Sequence, residues 1–168
     1  MRKGEKGIFV AMGISVLILL GVKAYQGAKY TDPDPGIPFF TTASKQVTAE
    51  AARVMKDGNC KSCHSLWGTR EMTQAVPAPP LDGMGYFRNE EWLYDYFSAA
   101  NPQDILASRL KPEYRQPSFS NFSDSDRRVL AKYIASLQVE DWYLEETKKR
   151  RYEKLTGKDY VAENSNNE

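Results

Sequence analysis

Cys60-Lys61-Ser62-Cys63-His64 gathers both cysteines and the only histidine of the chain into five consecutive residues. Two thiols separated by two residues, with an imidazole directly after the second, form the spacing of a c-type haem attachment site. The thiols add across the haem vinyl groups as thioethers and the histidine ligates the iron. Cys60 and Cys63 are therefore the expected attachment points, His64 the expected axial ligand, and one motif means one haem c. Two other chemistries use the same residue types. A redox-active CxxC pair opens a helix after a strand, with its first thiol activated by the helix N-terminus. Here Thr48 to Lys56 reads as a helix and no β-branched run stands before Cys60. A structural zinc site takes about four ligands, and this cluster offers three with no second one to complete it. Committed to haem, the two cysteines carry no structural disulfide.

The elements that must position this motif are helical. Thr48, Ala51, Val54 and Met55 repeat at helical spacing up to the stop signal Asp57-Gly58-Asn59, just before the cysteines. A long polar loop, Ser65 to Pro80, follows the motif. Asn89 is placed to cap a helix from Glu90 to about Ala99, with Trp92, Leu93, Tyr96 and Phe97 on one face. A short helical segment is expected at Gln103 to Leu110. Ser123 with Asp126 resembles a capping box, and Val129, Leu130, Tyr133, Ile134 and Leu137 form the stripe of the helix after it. No alternating stretch reads as a strand and there is no internal repeat, so the fold class expected is all-α. Beyond Asp141, Glu145 and Glu146 precede Lys148 to Arg151, an order that suits the helix dipole to about Leu155. This helix reads as a solvated surface element, the alternative being docking onto a partner or anionic lipid headgroups. Asn164 to Glu168 reads as disordered.

At 168 residues, with 41% hydrophobic and 27% charged residues, the chain has room for one domain and appendages. A net charge of +1 argues neither for nor against nucleic acid, and no nucleic-acid partner is expected. Gly7 to Val22 is an unbroken apolar run preceded by Arg2, Lys3 and Lys6. Its sixteen residues span roughly 24 Å as a helix, a little short of a ~30 Å hydrocarbon core, and Lys23 extends the usable length by snorkelling. The run reads as a membrane anchor, with a cleaved signal peptide ending near Ala24 as the alternative. The Pro-rich stretch Gln26 to Pro38 suits a spacer between an anchor and a head. The domains expected are 1–28 as anchor or signal, 29–42 as linker, 43–140 as the haem domain and 141–168 as charged helix and tail.

From Ala43 to Leu137 the order of elements resembles a class I c-type cytochrome. The resemblance rests on the helix before the CxxCH motif, Pro79-Pro80-Leu81-Asp82-Gly83, Trp92-Leu93 in a middle helix, and Pro117-Ser118-Phe119 ahead of a last helix with Ala131-Lys132-Tyr133-Ile134. With the N-terminal span, the chain is similar to membrane-anchored monohaem cytochromes, among them the cytochrome c subunit of nitric oxide reductases. The resemblance implies that the Pro79 carbonyl accepts a hydrogen bond from His64. It also implies that Leu81, Trp92, Leu93, Tyr96, Phe97, Leu130 and Ile134 wall the haem. In the family a methionine stands before the proline ahead of the last helix; here Gln116 occupies that slot. Gln116 or water is the expected sixth ligand, Met84 the fallback, and Met72, Lys111 and Tyr114 are further alternatives. With a single histidine, bis-imidazole ligation within one chain is excluded.

The function expected is one-electron transfer through a single haem, as a tethered carrier or a subunit of a respiratory complex on the periplasmic side of a bacterial inner membrane. The alternative is a haem module that binds NO or CO at a weak or open sixth position. No enzyme activity of its own is expected. A hydrolytic triad needs a histidine and His64 is taken, while Asp32, Asp34, Glu90 and Glu91 read as solvated charges. The partners expected are membrane lipid and a membrane-bound oxidase, reductase or dehydrogenase subunit, or another cytochrome.

Overall fold

The computed structural model describes residues 12–23, 35–69, 76 and 78–161, and the chain divides into two units, Met1–Gly36 and Ile37–Glu168. In the first unit, helix α1 covers 12–23 with every described side chain exposed, Leu17 at 69% and Leu19 at 65%. Twelve helical residues extend about 18 Å. Among the described residues no helix is long and apolar enough to cross a membrane. The span expected over Gly7 to Val22 begins outside those residues, and 24–34, which include part of the expected linker, lie outside them as well.

The second unit is mostly helical, as expected, but it opens on a short strand where the sequence showed none. β1, Phe39–Thr41, pairs antiparallel with β2, Leu137–Val139, in the register Phe39↔Val139, Phe40↔Gln138, Thr41↔Leu137. Three residues carry too little alternation for a strand to show in the sequence. The pairing is fixed instead by burial, since Leu137 and Val139 are fully buried and Phe39 meets Tyr143 edge-on at 5.4 Å. Thr42 N–H also donates to Ser136 O at 3.1 Å and Glu140 N–H to Pro38 O at 2.8 Å. The segment read as the end of a linker is thus stapled to the folded unit, which starts at Ile37 rather than 43.

Helix α2, Lys45–Asp57, is capped by the Ser44 side chain, which accepts from Val47 N–H at 3.3 Å. Ala51, Val54 and Met55 are its buried stripe. Helix α3, Glu90–Ser98, is capped by Asn89, which accepts from Trp92 N–H at 2.9 Å, and buries Leu93 and Phe97. Helix α4, Asp124–Ala135, buries Leu130, Ala131, Tyr133 and Ile134 between α2 and α3. Its stripe ends at Ile134 and not at Leu137 as expected, because Leu137 lies in β2. Fully burying side chains such as Leu130, Leu137, Val54 and Val139 stabilises the domain by roughly 1.5–3 kcal/mol each.

The helix expected at Gln103 to Leu110 is not formed. A single 3₁₀ turn covers Pro102–Asp104, and the chain then runs irregularly while Leu106, Ala107 and Leu110 line a cavity and Arg109 reaches the Lys154 carbonyl at 3.2 Å. Tertiary contacts override the local preference. Helix α5, Asp141–Thr156, ends at Gly157 in the left-handed region at φ 70°. Glu146 and Arg150 pair on its outer face at 2.7 Å, but Thr147 and Arg151 are buried. One face of this helix packs on its own domain, which corrects the reading of it as a solvated element.

Candidate functional site

Asn59 turns the chain from α2 into the cysteine motif. Its backbone sits in the left-handed region at φ 51°, and Cys60–Ser62 follow as a 3₁₀ turn. The His64 N–H donates to the Cys60 carbonyl at 3.0 Å, so Cys60, Cys63 and His64 lie on one tight turn. Neither cysteine is in a disulfide. Burial pushes the Cys60 thiol up to about 11, the opposite of the lowered pKa that a redox-active CxxC requires. Among the described residues, no group of three or more His, Cys, Asp or Glu side chains is placed to hold a metal ion.

Pro79 and Asp82 hold the loop that returns to this turn. The Pro79 carbonyl lies 2.7 Å from His64 Nδ1 and accepts its proton, as the resemblance implies. That fixes the tautomer and leaves Nε2 as the donor to a metal. Burial lowers the His64 pKa, outweighing hydrogen bonds to Pro79 and the Gln116 side chain that raise it. Burial thus favours the neutral ring, the form that ligates. Leu81 N–H donates to Ser65 O at 3.0 Å. The buried Asp82 carboxylate accepts from Trp67 N–H at 2.6 Å and Gly68 N–H at 3.1 Å, which holds Trp67 at φ 57°, a conformation side chains other than glycine rarely adopt.

Cys63 and His64 open onto a cavity walled by Leu81, Trp92, Leu93, Tyr96, Phe97 and Ile134. Leu130, expected among these walls, is buried in the core but does not reach the cavity. Gln116 lines the same cavity and faces the imidazole. Tyr114 lines it too, whereas Lys111 is exposed and Met72 lies outside the described residues. Met84 is buried at the cavity wall with its sulfur accepting from Arg151 Nη1 at 3.3 Å. An apolar cavity with the Cys63 thiol and one oriented imidazole at its edge, and the free Cys60 thiol on the same turn, fits a covalently held haem: the walls suit the macrocycle and the nitrogen suits iron.

Sequence reasoning missed Arg151 and Asp82. Arg151 is 9% exposed and lines the cavity from α5. Burial, then repulsion from Arg88, pulls its pKa down to about 10. The available signal was the four-residue step Tyr143, Thr147, Arg151 along one helix face, masked by the run of charges around it. The sequence matches the family model for cytochrome c over residues 48–138, more than half of the chain. Comparison with curated proteins and with solved structures finds no match. Domains of the matched kind bind haem c covalently, as a rule one each, and are generally electron carriers. By this match the chain belongs to the cytochrome c family.

Proposed function

We propose that Cys60 and Cys63 hold the haem through two thioethers, that His64 is its axial iron ligand, and that the protein passes single electrons as a membrane-tethered carrier or a subunit of a respiratory complex. The observation that carries this reading is the His64 imidazole, oriented by Pro79 O at 2.7 Å, next to Cys63 at the edge of the cavity. When bound, the haem supplies a one-electron couple. The chain does the rest. Pro79 raises the basicity of the ring and so favours ferric iron. Trp92, Leu93, Tyr96 and Phe97 exclude water, and a drier, less polar pocket favours the less charged ferrous state. Asp82 holds the loop after the motif against the Pro79 segment.

Cytochrome c domains are usually extracytoplasmic, and we place this one on the periplasmic side of a bacterial inner membrane with Gly7 to Val22 as its anchor. The exposed apolar side chains of α1 support that placement. The partner is then a membrane-bound oxidase, reductase or dehydrogenase, or another cytochrome; a nitric oxide reductase is one complex that this order of elements resembles. Gln116 supports a second reading, a haem that binds NO or CO, because a carboxamide is a weak ligand.

Haem staining of a denaturing gel tests the attachment. The stain is expected to survive acid-acetone extraction and to be largely lost in Cys60→Ser and Cys63→Ser; a stain extracted from the wild type would overturn the assignment. Purification in detergent separates the two functions. A carrier copurifies with its oxidoreductase and is rapidly reoxidised, whereas a gas-binding module is isolated alone and its reduced spectrum moves with NO or CO.

A further inference from the structure

Arg151 enters the haem cavity from α5, outside the region that matches the family, 48–138. It is 9% exposed, and what surrounds it does not neutralise it. Its Nη1 donates to the Met84 sulfur at 3.3 Å, a weak acceptor, and its guanidinium lies 4.8 Å from the Phe87 ring centroid. Among the described residues no carboxylate is within ion-pair distance of it, although six ion pairs form elsewhere. A second guanidinium, Arg88, is close enough to repel it. Arg88 stacks over Trp92, a cavity wall, at 4.3 Å. Its Nε is buried and, among the described residues, has no hydrogen-bond partner.

A guanidinium buried against a thioether and a ring face, with a second, half-buried guanidinium repelling it, is costly unless an anion joins them. Planar forks of N–H donors match carboxylates above all. Building on the haem assignment above, we propose that Arg151 and Arg88 together bind the propionate carboxylates of the haem. The C-terminal helix is then a working part of the cofactor pocket. A cation beside a propionate offsets negative charge that opposes the incoming electron, so the pair raises the reduction potential.

The full chain with haem attached tests this in Arg151→Gln, Arg151→Lys, Arg88→Gln and, as a control, Lys149→Gln, which removes an exposed charge of the same helix. Pyridine haemochrome spectra first establish one covalent haem per chain, so that a chain without haem counts against the haem assignment and not against this proposal. Both Gln variants of the arginines are then expected to lower the midpoint potential and to shift the propionate bending band in resonance Raman spectra. Arg151→Lys should fall between Arg151→Gln and wild type, and Lys149→Gln should match wild type. If Arg151→Gln fails to mature, Arg151→Lys and Arg88→Gln carry the test. Wild-type potential and an unmoved propionate band in the arginine variants that retain haem would overturn the proposal.

Discussion

The Gln116 side chain lies close enough to the His64 ring to hydrogen-bond it and lines the same cavity, in the slot where the family places a methionine. A carboxamide oxygen is harder than a thioether sulfur and stabilises ferric over ferrous iron. Met84, the fallback ligand, is buried on the cavity wall and accepts from Arg151, so movement toward the iron would break that contact and leave the buried guanidinium with less around it. The proposed ligation by His64 with Gln116 or water therefore gives a clear expectation. The ferric protein should lack the long-wavelength charge-transfer band of iron–thioether ligation, and Gln116→Met should create that band and raise the potential. Gln116→Ala should increase access of CO to the reduced protein. A wild-type band abolished by Met84→Ala would instead make Met84 the ligand.

Gly83 joins the Pro-rich loop to the C-terminal helix. It adopts φ 72°, and a Cβ there would stand 2.9 Å from Thr147 Cγ2 of α5 and 3.3 Å from Val139 Cγ1 of β2. Gly83→Ala should cost at least ~1–2 kcal/mol from the left-handed backbone alone, with the clash in addition, and should loosen α5 from the cavity. Chemical denaturation reads the loss, and unchanged stability would show that α5 is not held against this turn. These contacts also mark what the sequence could reveal. Caps at Asn89 and Ser123 and the stripes of α2, α3 and α4 were legible because each depends on residues near in sequence, whereas the His64–Pro79 pairing was reached only through the family resemblance. The β1–β2 pairing was not, since its two three-residue strands lie at opposite ends of the domain and their register is set by packing. The inward face of α5 was hidden for a related reason: Arg151 reads as surface charge until the cavity it enters is built from Met84, Trp92 and Tyr96.

At the scale of the whole molecule, two kinds of apolar surface have opposite solutions. Between Ile37 and Val161 the large apolar side chains close mostly on one core around the proposed haem, whereas Ile14, Leu17, Ile18, Leu19 and Leu20 of α1 are exposed together. A contiguous run of such residues is a surface awaiting a partner phase, and burying each is worth roughly 1.5–3 kcal/mol. The proposed anchor uses that energy by continuing the apolar run N-terminally to Gly7, with Arg2, Lys3 and Lys6 on the cytoplasmic side. Membranes from expressing cells, washed with carbonate, should then retain the full-length, haem-stained chain and release it only to detergent. Leu17→Arg, which places a charge near the middle of the run at a cost of about 2.5–3.5 kcal/mol, should reduce the retained fraction without changing the haem spectrum, because the folded unit begins at Ile37. A soluble periplasmic chain starting near Tyr25 would identify the run as a signal peptide and leave the haem site as described.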